Sequence, residues 1–255
     1  MSEATREPGR AISGASMLWL AYAAICYLFF FGTILYLVGF VLDLLVPRTV
    51  DSGHSHGALG VLIDAALFVA FGVQHSVMAR PRFKAWLTRY VPAYAERSTF
   101  ILASVVVLVF LMAAWQPLPT DIWKVSGFGA VLLYAIALGG LATLFLASFM
   151  IDHFEFGGLR QPWHHATGRA PKEFPFTQRF LYRYVRHPIM LGFLLLFWVT
   201  PRMTVGHLVF AILATMYIAA GMHFEERNLR TAIGPEYEEY RRRVPAVLPI
   251  RLGQR

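Results

Sequence analysis

The chain has 255 residues, of which 57% are hydrophobic and 15% charged, with a mean hydropathy of +0.52. A soluble domain carries about 25% charged residues, so this composition excludes an ordinary soluble protein and predicts an integral membrane protein. The net charge of +8 gives no reason to expect nucleic acid, because the basic residues fall between apolar spans, where anionic lipid head groups account for them.

The first apolar stretch runs from about Met17 to Val46. It is far longer than a signal-peptide core and no small-residue cleavage site ends it, so it is expected to stay in the membrane. Cys26, the single cysteine, has no disulfide partner within the chain and reads as a small apolar residue. Further apolar segments cover 57–79, 99–115 and 126–150, followed by shorter ones at 188–200 and 204–222. A span takes about 20 apolar residues, so 188–200 is too short to cross alone. "TPRM" (200–203), with Pro201, marks a turn. The last two segments are expected to form a helical hairpin, tilted or only just reaching the far side.

The expected fold class is therefore all-α and integral to the membrane. It has five to six transmembrane segments, the last two a helical hairpin, and an interfacial C-terminal helix. One domain, 1–255, divides into a cytoplasmic tail (1–16), four spans (17–150), a loop (151–187), the hairpin (188–222) and a tail covering the cofactor (223–255).

Charge gives the orientation. Arg6 and Arg10 lie in the N-terminal tail, five basic residues in 80–98, six in 151–187 and seven in 223–255. The other three connections hold one each, Arg48, Lys124 and Arg202. The positive-inside rule then puts both termini in the cytoplasm, with the bacterial inner membrane as the expected location. "GHSHG" (53–57) falls in an outer loop and is not expected to hold a metal. On the cytoplasmic side four helix ends converge. They bring Gln74 and His75, then Asp152, His153 and Glu155, then Arg186 and His187, then His223, Glu225 and Glu226.

"YRYVRHPIMLG" (182–192) starts a helix at Pro188, whose missing N–H is not needed in a first turn. The free N–H groups of that turn, with Arg183 and Arg186, offer an anion seat; the alternative is a plain basic membrane anchor. "MHFEERNL" (222–229) sets Glu225 and Glu226 where basic residues are expected. Carboxylates at such a boundary imply a cationic partner, either a nearby arginine such as Arg183, Arg186 or Arg227, or a bound cation. An anion seat beside carboxylates suits S-adenosylmethionine, which carries a carboxylate and a sulfonium. "AIGPEYEEYRRRVPAVLP" (232–249) stops one helix at Gly234 and starts another at Pro235. Tyr237, Tyr240 and Val244 share one face of it, as in a helix lying on the leaflet or a lid.

"RHPIMLG", "EERNL" and "GPEYEEYRRRV" together resemble the C-terminal half of the isoprenylcysteine carboxyl methyltransferase superfamily. The resemblance implies that Arg186, His187, Pro188, Gly192, Glu225, Glu226 and Leu229 hold S-adenosylmethionine, with Tyr184, Val185 and His223 beside them. Met190 stands where that superfamily often has tyrosine, and sterol reductases that bind NADPH share a related pattern. "FGVQHSVMARPRFKAWLTRYVPAYAERSTF" (71–100) and "SFMIDHFEFGGLRQ" (148–161) are similar to the NnrU-like branch. Within it they closely resemble the membrane-bound methanethiol S-methyltransferases, as does "HPIMLGFLLLFWVTP" with its Met190. The implied reaction is methyl transfer from S-adenosylmethionine to methanethiol, giving dimethyl sulfide.

Such a reaction needs a thiolate and an in-line approach to an activated carbon. His75 and His153 are the candidate bases, Asp152 a carboxylate able to orient one of them, and Arg97 and Arg160 sources of positive field. Gln74, Arg160 and Gln161 are the expected substrate contacts. Plainer roles stand beside these: Gln74 and His75 bonding helix-end carbonyls, Asp152 capping a helix, Glu96 and Arg97 forming a surface pair. Expected partners are a small volatile thiol and the bilayer, with no nucleic acid or metal. Rival functions are a methyltransferase with another thiol or lipid acceptor, an NADPH-dependent membrane reductase, and a non-enzymatic accessory protein.

Overall fold

The computed structural model describes residues 13–170 and 176–248. Arg6, Arg10, Lys172, Arg251 and Arg255 of the charge count, and the last part of the C-terminal tail, lie outside the described residues.

Five helices are long and apolar enough to cross a membrane. They are α1 (Gly14–Leu42), α2 (Gly57–Met78), α4 (Glu96–Ala114, entered through a short turn at Ala93–Ala95), α5 (Gly127–Ile151) and α9 (Val205–Ile233). Shorter helices connect them: α3 (Pro81–Leu87), α6 (His153–Phe156), α7 (Arg160–Thr167), α8 (Pro188–Trp198) and α10 (Pro235–Arg243). The 11 residues of α8 reach about 16 Å at 1.5 Å per residue, half of a hydrocarbon core of about 30 Å. It forms the first arm of the expected hairpin and packs antiparallel on α5. The second arm runs on to Ile233, eleven residues past the end of the apolar stretch at 222, so the tail begins as helix.

Local chemistry sets these boundaries. The Ser13 hydroxyl accepts from Ser16 N at the start of α1, and that of Thr204 from His207 N at the start of α9. Pro81, Pro188 and Pro235 open α3, α8 and α10, where the lost N–H has no intrahelical partner in any case. Gly234 turns α9 into α10 at φ +73°, a conformation that a side chain would strain.

The bundle has two unlike ends. The far end carries Leu42, Gly57, Ala114, Gly127, Trp198 and Val205; the near end carries Gly14, Met78, Glu96, Ile151, Pro188 and Ile233. At the far end β1 (Asp121–Lys124) pairs antiparallel with β2 (Arg202–Thr204), a ribbon that the apolar pattern did not predict. Arg202 meets three carboxylates there: Asp121 at 2.7 Å, Asp51 at 3.4 Å and Asp43 at 3.5 Å. Thr204 Oγ1 donates to Asp51 at 2.6 Å. Fully buried Asp64 accepts from Gln116 N at 2.8 Å.

Toward the far end, Phe40, Phe68, Trp115 and Phe210 interlock with ring centroids 5.2–6.4 Å apart. In lipid, helices associate through close packing rather than burial from water. Gly140 of α5 and Gly192 of α8 provide the tightest crossing. A Cβ on Gly192 would stand 2.6 Å from Gly140 O and 2.9 Å from Leu144 N. Gly192 thus permits the contact that seats α8.

Candidate functional site

The "QHS" block sits near the end of α2, facing α4 and α9. The His75 ring lies 4.8 Å from Phe100, 5.6 Å from Phe71 and 6.2 Å from Tyr217 by centroid. Gly72 lets α9 approach, since a Cβ there would meet the Tyr217 ring at 3.3 Å. His75 Nδ1 lies 3.2 Å from Ser104 Oγ, and that hydroxyl donates to Phe100 O at 2.9 Å. With its proton so committed, Ser104 can only accept from the ring. Nδ1 therefore carries the hydrogen and Nε2 the lone pair. Among the described residues nothing hydrogen-bonds Nε2. Gln74 donates to Met78 Sδ at 3.0 Å and to Ser104 Oγ at 3.5 Å, while its buried Oε1 has no partner among the described residues. Arg97 lies over the Phe100 ring at 5.2 Å and donates to Phe156 O at 3.5 Å. Its neighbour Glu96 is buried and pairs with Lys84 at 3.7 Å, so the two do not form one surface pair.

The "IDHFEFGGLRQ" block folds into a hydrogen-bonded corner against α1 and α4. His153 is 3% exposed and stacks on Phe149 at 4.2 Å. Its Nδ1 meets Ser148 Oγ at 2.8 Å, and that hydroxyl donates to Phe145 O at 2.7 Å. By the same logic Nδ1–H donates, and the lone pair on Nε2 accepts from Tyr27 OH at 2.7 Å. Both ring nitrogens are thus engaged. Burial pulls the His153 pKa down, against an upward pull from Asp152, and the ring stays neutral at pH 7. Asp152 serves elsewhere: Oδ1 caps α6 by accepting Glu155 N at 3.2 Å, and Oδ2 pairs with Arg160. Gln161 donates to Glu155 Oε1 at 2.8 Å, and Ser98 Oγ to Gly158 O at 2.6 Å. Asp152, Arg160 and Gln161 thus hold the corner in shape, and Asp152 does not orient the His153 ring through a hydrogen bond.

The C-terminal motifs meet as one ion-pair network. Arg186 Nε donates to Glu226 Oε1 at 2.9 Å and Nη2 pairs with the same oxygen. Nη1 donates to Arg241 O at 3.1 Å and to Val244 O. The backbone N–H groups of Arg186 and His187 donate to Pro245 O and Ala246 O, each at 2.9 Å. Arg186 is thus the internal partner of Glu226, one of the two alternatives open in the sequence. His187 reaches Glu226 at 3.2 Å and Glu225 at 3.5 Å. Burial pulls its pKa down, but the two carboxylates outweigh that and raise it. Tyr240 OH donates to Tyr182 O at 2.6 Å, so α10 is clamped onto 180–187 as a clasp. Burial pushes the Tyr240 hydroxyl up to about 12, which keeps it a donor.

What remains accessible around this frame is Glu225, 48% exposed at its side chain, together with Tyr184 and His223, both exposed, and Leu229, half-buried. Val185 and Pro188 are buried beneath. An open carboxylate on this frame fits a positively charged group, whereas the Arg186 guanidinium expected in an anion seat is taken up by Glu226, Arg241 O and Val244 O. The two blocks also adjoin. α2 and α9 run side by side, with Gly72 and His75 level with Tyr217, and Arg80 over the Phe224 ring at 5.1 Å. Glu225 is eight residues beyond Tyr217, about 12 Å along the helix. Sequence reasoning missed Tyr217, Ser104, Tyr27 and Ser148; their signal was a polar atom inside an apolar run. Among the described residues no group of histidine, cysteine or acidic side chains has metal-site geometry.

The family described as NnrU protein matches residues 62–244. A protein of Mycobacterium tuberculosis (strain ATCC 25618 / H37Rv) named methanethiol S-methyltransferase is 48% identical over 236 residues, covering 91% of this chain and 96% of its own. One of the same name from Pseudomonas deceptionensis is 44% identical over 246 residues, covering 96% and 93%. Human nurim is 27% identical over 177 residues, covering 66% and 67%. No solved structure matches. The chain is an integral membrane protein of the NnrU family and belongs, within it, with the methanethiol S-methyltransferases.

Proposed function

We propose that this chain methylates methanethiol to dimethyl sulfide with S-adenosylmethionine as the donor, between the near ends of α2, α4 and α9. The observation that carries the activity is the 48% identity, along almost the whole chain, to a relative of that name. The geometry supports a division of labour. His75 Nε2 takes the thiol proton, and the Arg97 guanidinium beside Phe100 favours the resulting thiolate. The partnerless Gln74 Oε1 accepts from a bound S–H or N–H group. Phe71, Phe100 and Tyr217 pack around the His75 ring and exclude water, and apolar surroundings suit a thiol with one carbon. S-adenosylmethionine supplies a methyl carbon activated by its sulfonium. Glu225, Tyr184, His223 and Leu229 hold it, while Arg186, His187 and Glu226 keep their segment rigid. The thiolate sulfur forms a bond to that carbon as the carbon–sulfonium bond breaks, and the electron pair stays on the departing sulfur.

The near end is cytoplasmic in this reading, because the sequence segments 1–16, 80–98, 151–187 and 223–255 hold 20 of the 23 basic residues, and the membrane is the bacterial inner membrane. The chain acts as one domain, with 223–255 closing the cofactor side. The test is headspace dimethyl sulfide from purified protein given both substrates, with Glu225→Ala and His75→Asn as controls. Product lost in both supports the assignment. Cofactor binding without product moves the acceptor to another thiol or lipid, and absence of both overturns the proposal.

A further inference from the structure

A cavity of about 530 Å³ opens sideways between α1 and α4, away from the site above. Its walls are apolar (Ile25, Leu28, Phe29, Val109 and Met112 among them) and its far end closes on Tyr36 and Arg48. From Ile25 to Tyr36 it follows α1 for about 16 Å, the depth of one leaflet of a core about 30 Å thick. Arg48 donates to Met112 O at 3.3 Å and to Trp115 O at 2.8 Å, which fixes its guanidinium on the last turn of α4. Among the described residues no carboxylate lies within ion-pair distance of it. Arg202, the far-end arginine on the ribbon, pairs with three acids; Arg48 has none beside it among the described residues and stands at the far end of an apolar trough.

We propose that this trough is a seat for one anionic phospholipid, with an acyl chain along α1 and the phosphate on Arg48. The match is in charge and in length together. A chain-length apolar wall ends at head-group depth in an arginine whose helix-end bonds use only part of its donor fork. Phosphate recognition by a fixed guanidinium is directional, and one basic residue at a lipid surface is worth about fivefold in affinity. Gly32 lines the trough, and a Cβ there meets nothing within 4 Å. Gly32→Phe therefore puts a ring into the trough with no clash at its Cβ.

The experiment is native mass spectrometry of the full chain titrated with phosphatidylglycerol or phosphatidylcholine, comparing wild type, Arg48→Gln and Gly32→Phe. All three are first matched by thermal unfolding, and Arg48→Lys replaces Arg48→Gln if the latter is unfolded. The expected result is one tightly held phosphatidylglycerol, preferred about fivefold over phosphatidylcholine. That preference disappears in Arg48→Gln, or weakens in Arg48→Lys, and both lipids are lost from Gly32→Phe. Equal retention of the two lipids by wild type, or retention unchanged by Gly32→Phe, overturns the proposal. A dimer that dissociates in Gly32→Phe also overturns it, and assigns the trough to a second copy of the chain.

Discussion

Removing Glu226 tests the reading of the C-terminal motifs as a frame. Its side chain is 14% exposed and that of Arg186 8%. Oε1 is held by the Arg186 Nε and Nη2 groups and by His187 at 3.2 Å, while Oε2 faces Arg241 at 3.4 Å. Glu226→Ala leaves the Arg186 cation buried with only carbonyl oxygens around it, and breaking a buried pair on one side costs about 3–5 kcal/mol. For a chain of this size each kcal/mol lowers Tm by about 2–4 °C, so the expected drop is about 6–20 °C. Arg186→Ala should lose a similar amount. The double variant should lose far less than the two together, because it leaves no buried charge, with a coupling of about 2–3 kcal/mol. Thermal unfolding of the four proteins in one detergent, without cofactor, measures this cycle. Single variants within about 1 kcal/mol of wild type and an additive double would mean a solvated pair and refute the frame. If the frame holds, lost cofactor binding in Glu226→Ala reports a collapsed clasp, and Glu225→Ala is the variant that reports contact.

Other outcomes follow from the same geometry. His75→Asn should cut turnover about 10²–10⁴-fold with Tm nearly unchanged. His153→Ala, which takes its partner from Tyr27 OH and leaves a gap in a site 3% exposed, should cost about 2–3 kcal/mol while folded enzyme keeps its turnover. Gly192→Leu should force α5 and α8 apart and cost about 1–3 kcal/mol or more, whereas Gly139→Leu, in open space, changes little; paired melting curves decide. Tyr240→Phe removes the bond to Tyr182 O and should cost about 1 kcal/mol. The raised pKa of His187 gives it stability that is complete below the unfolded value of about 6.5 and lost as pH rises through the folded value. The Tm advantage of wild type over His187→Gln should therefore shrink from pH 6 to pH 9, and a constant gap would contradict it.

How far the sequence could be read depended on the range of the interaction. Spans follow hydropathy, a property of each segment alone, so α1, α2, α4 and α5 lie where the apolar runs do. The second arm ran past its expected end because Glu225, Glu226 and Arg227 end a hydropathy run without ending a helix; only Gly234 does that. The ribbon escaped because Asp121–Lys124 and Arg202–Thr204 are short and far apart in sequence, and pair through backbone bonds. In the site, the residue types were legible but their partners were not. Nothing in spacing says that Arg186 takes Glu226 forty residues on, or that Asp152 serves Arg160 instead of the adjacent histidine. His75 and His153 read alike in sequence. They part in space, one lone pair left open and the other filled by Tyr27.

The Arg202 cluster bears on how substrates come and go. One guanidinium ties together Asp43 after α1, Asp51 before α2 and Asp121 before α5, on the strand that leads into α9. Burial raises the pKa of Asp51, though Thr204 and Arg202 oppose it, so that carboxylate is most at ease with its neighbours in place. These pairs tie the far-end connections of α1, α2 and α5 to the strand before α9. The far rim works as the floor of a flask that opens at the near end. On the proposed function, a volatile product released beside His75 leaves through the near end or sideways into lipid, and not through the far rim.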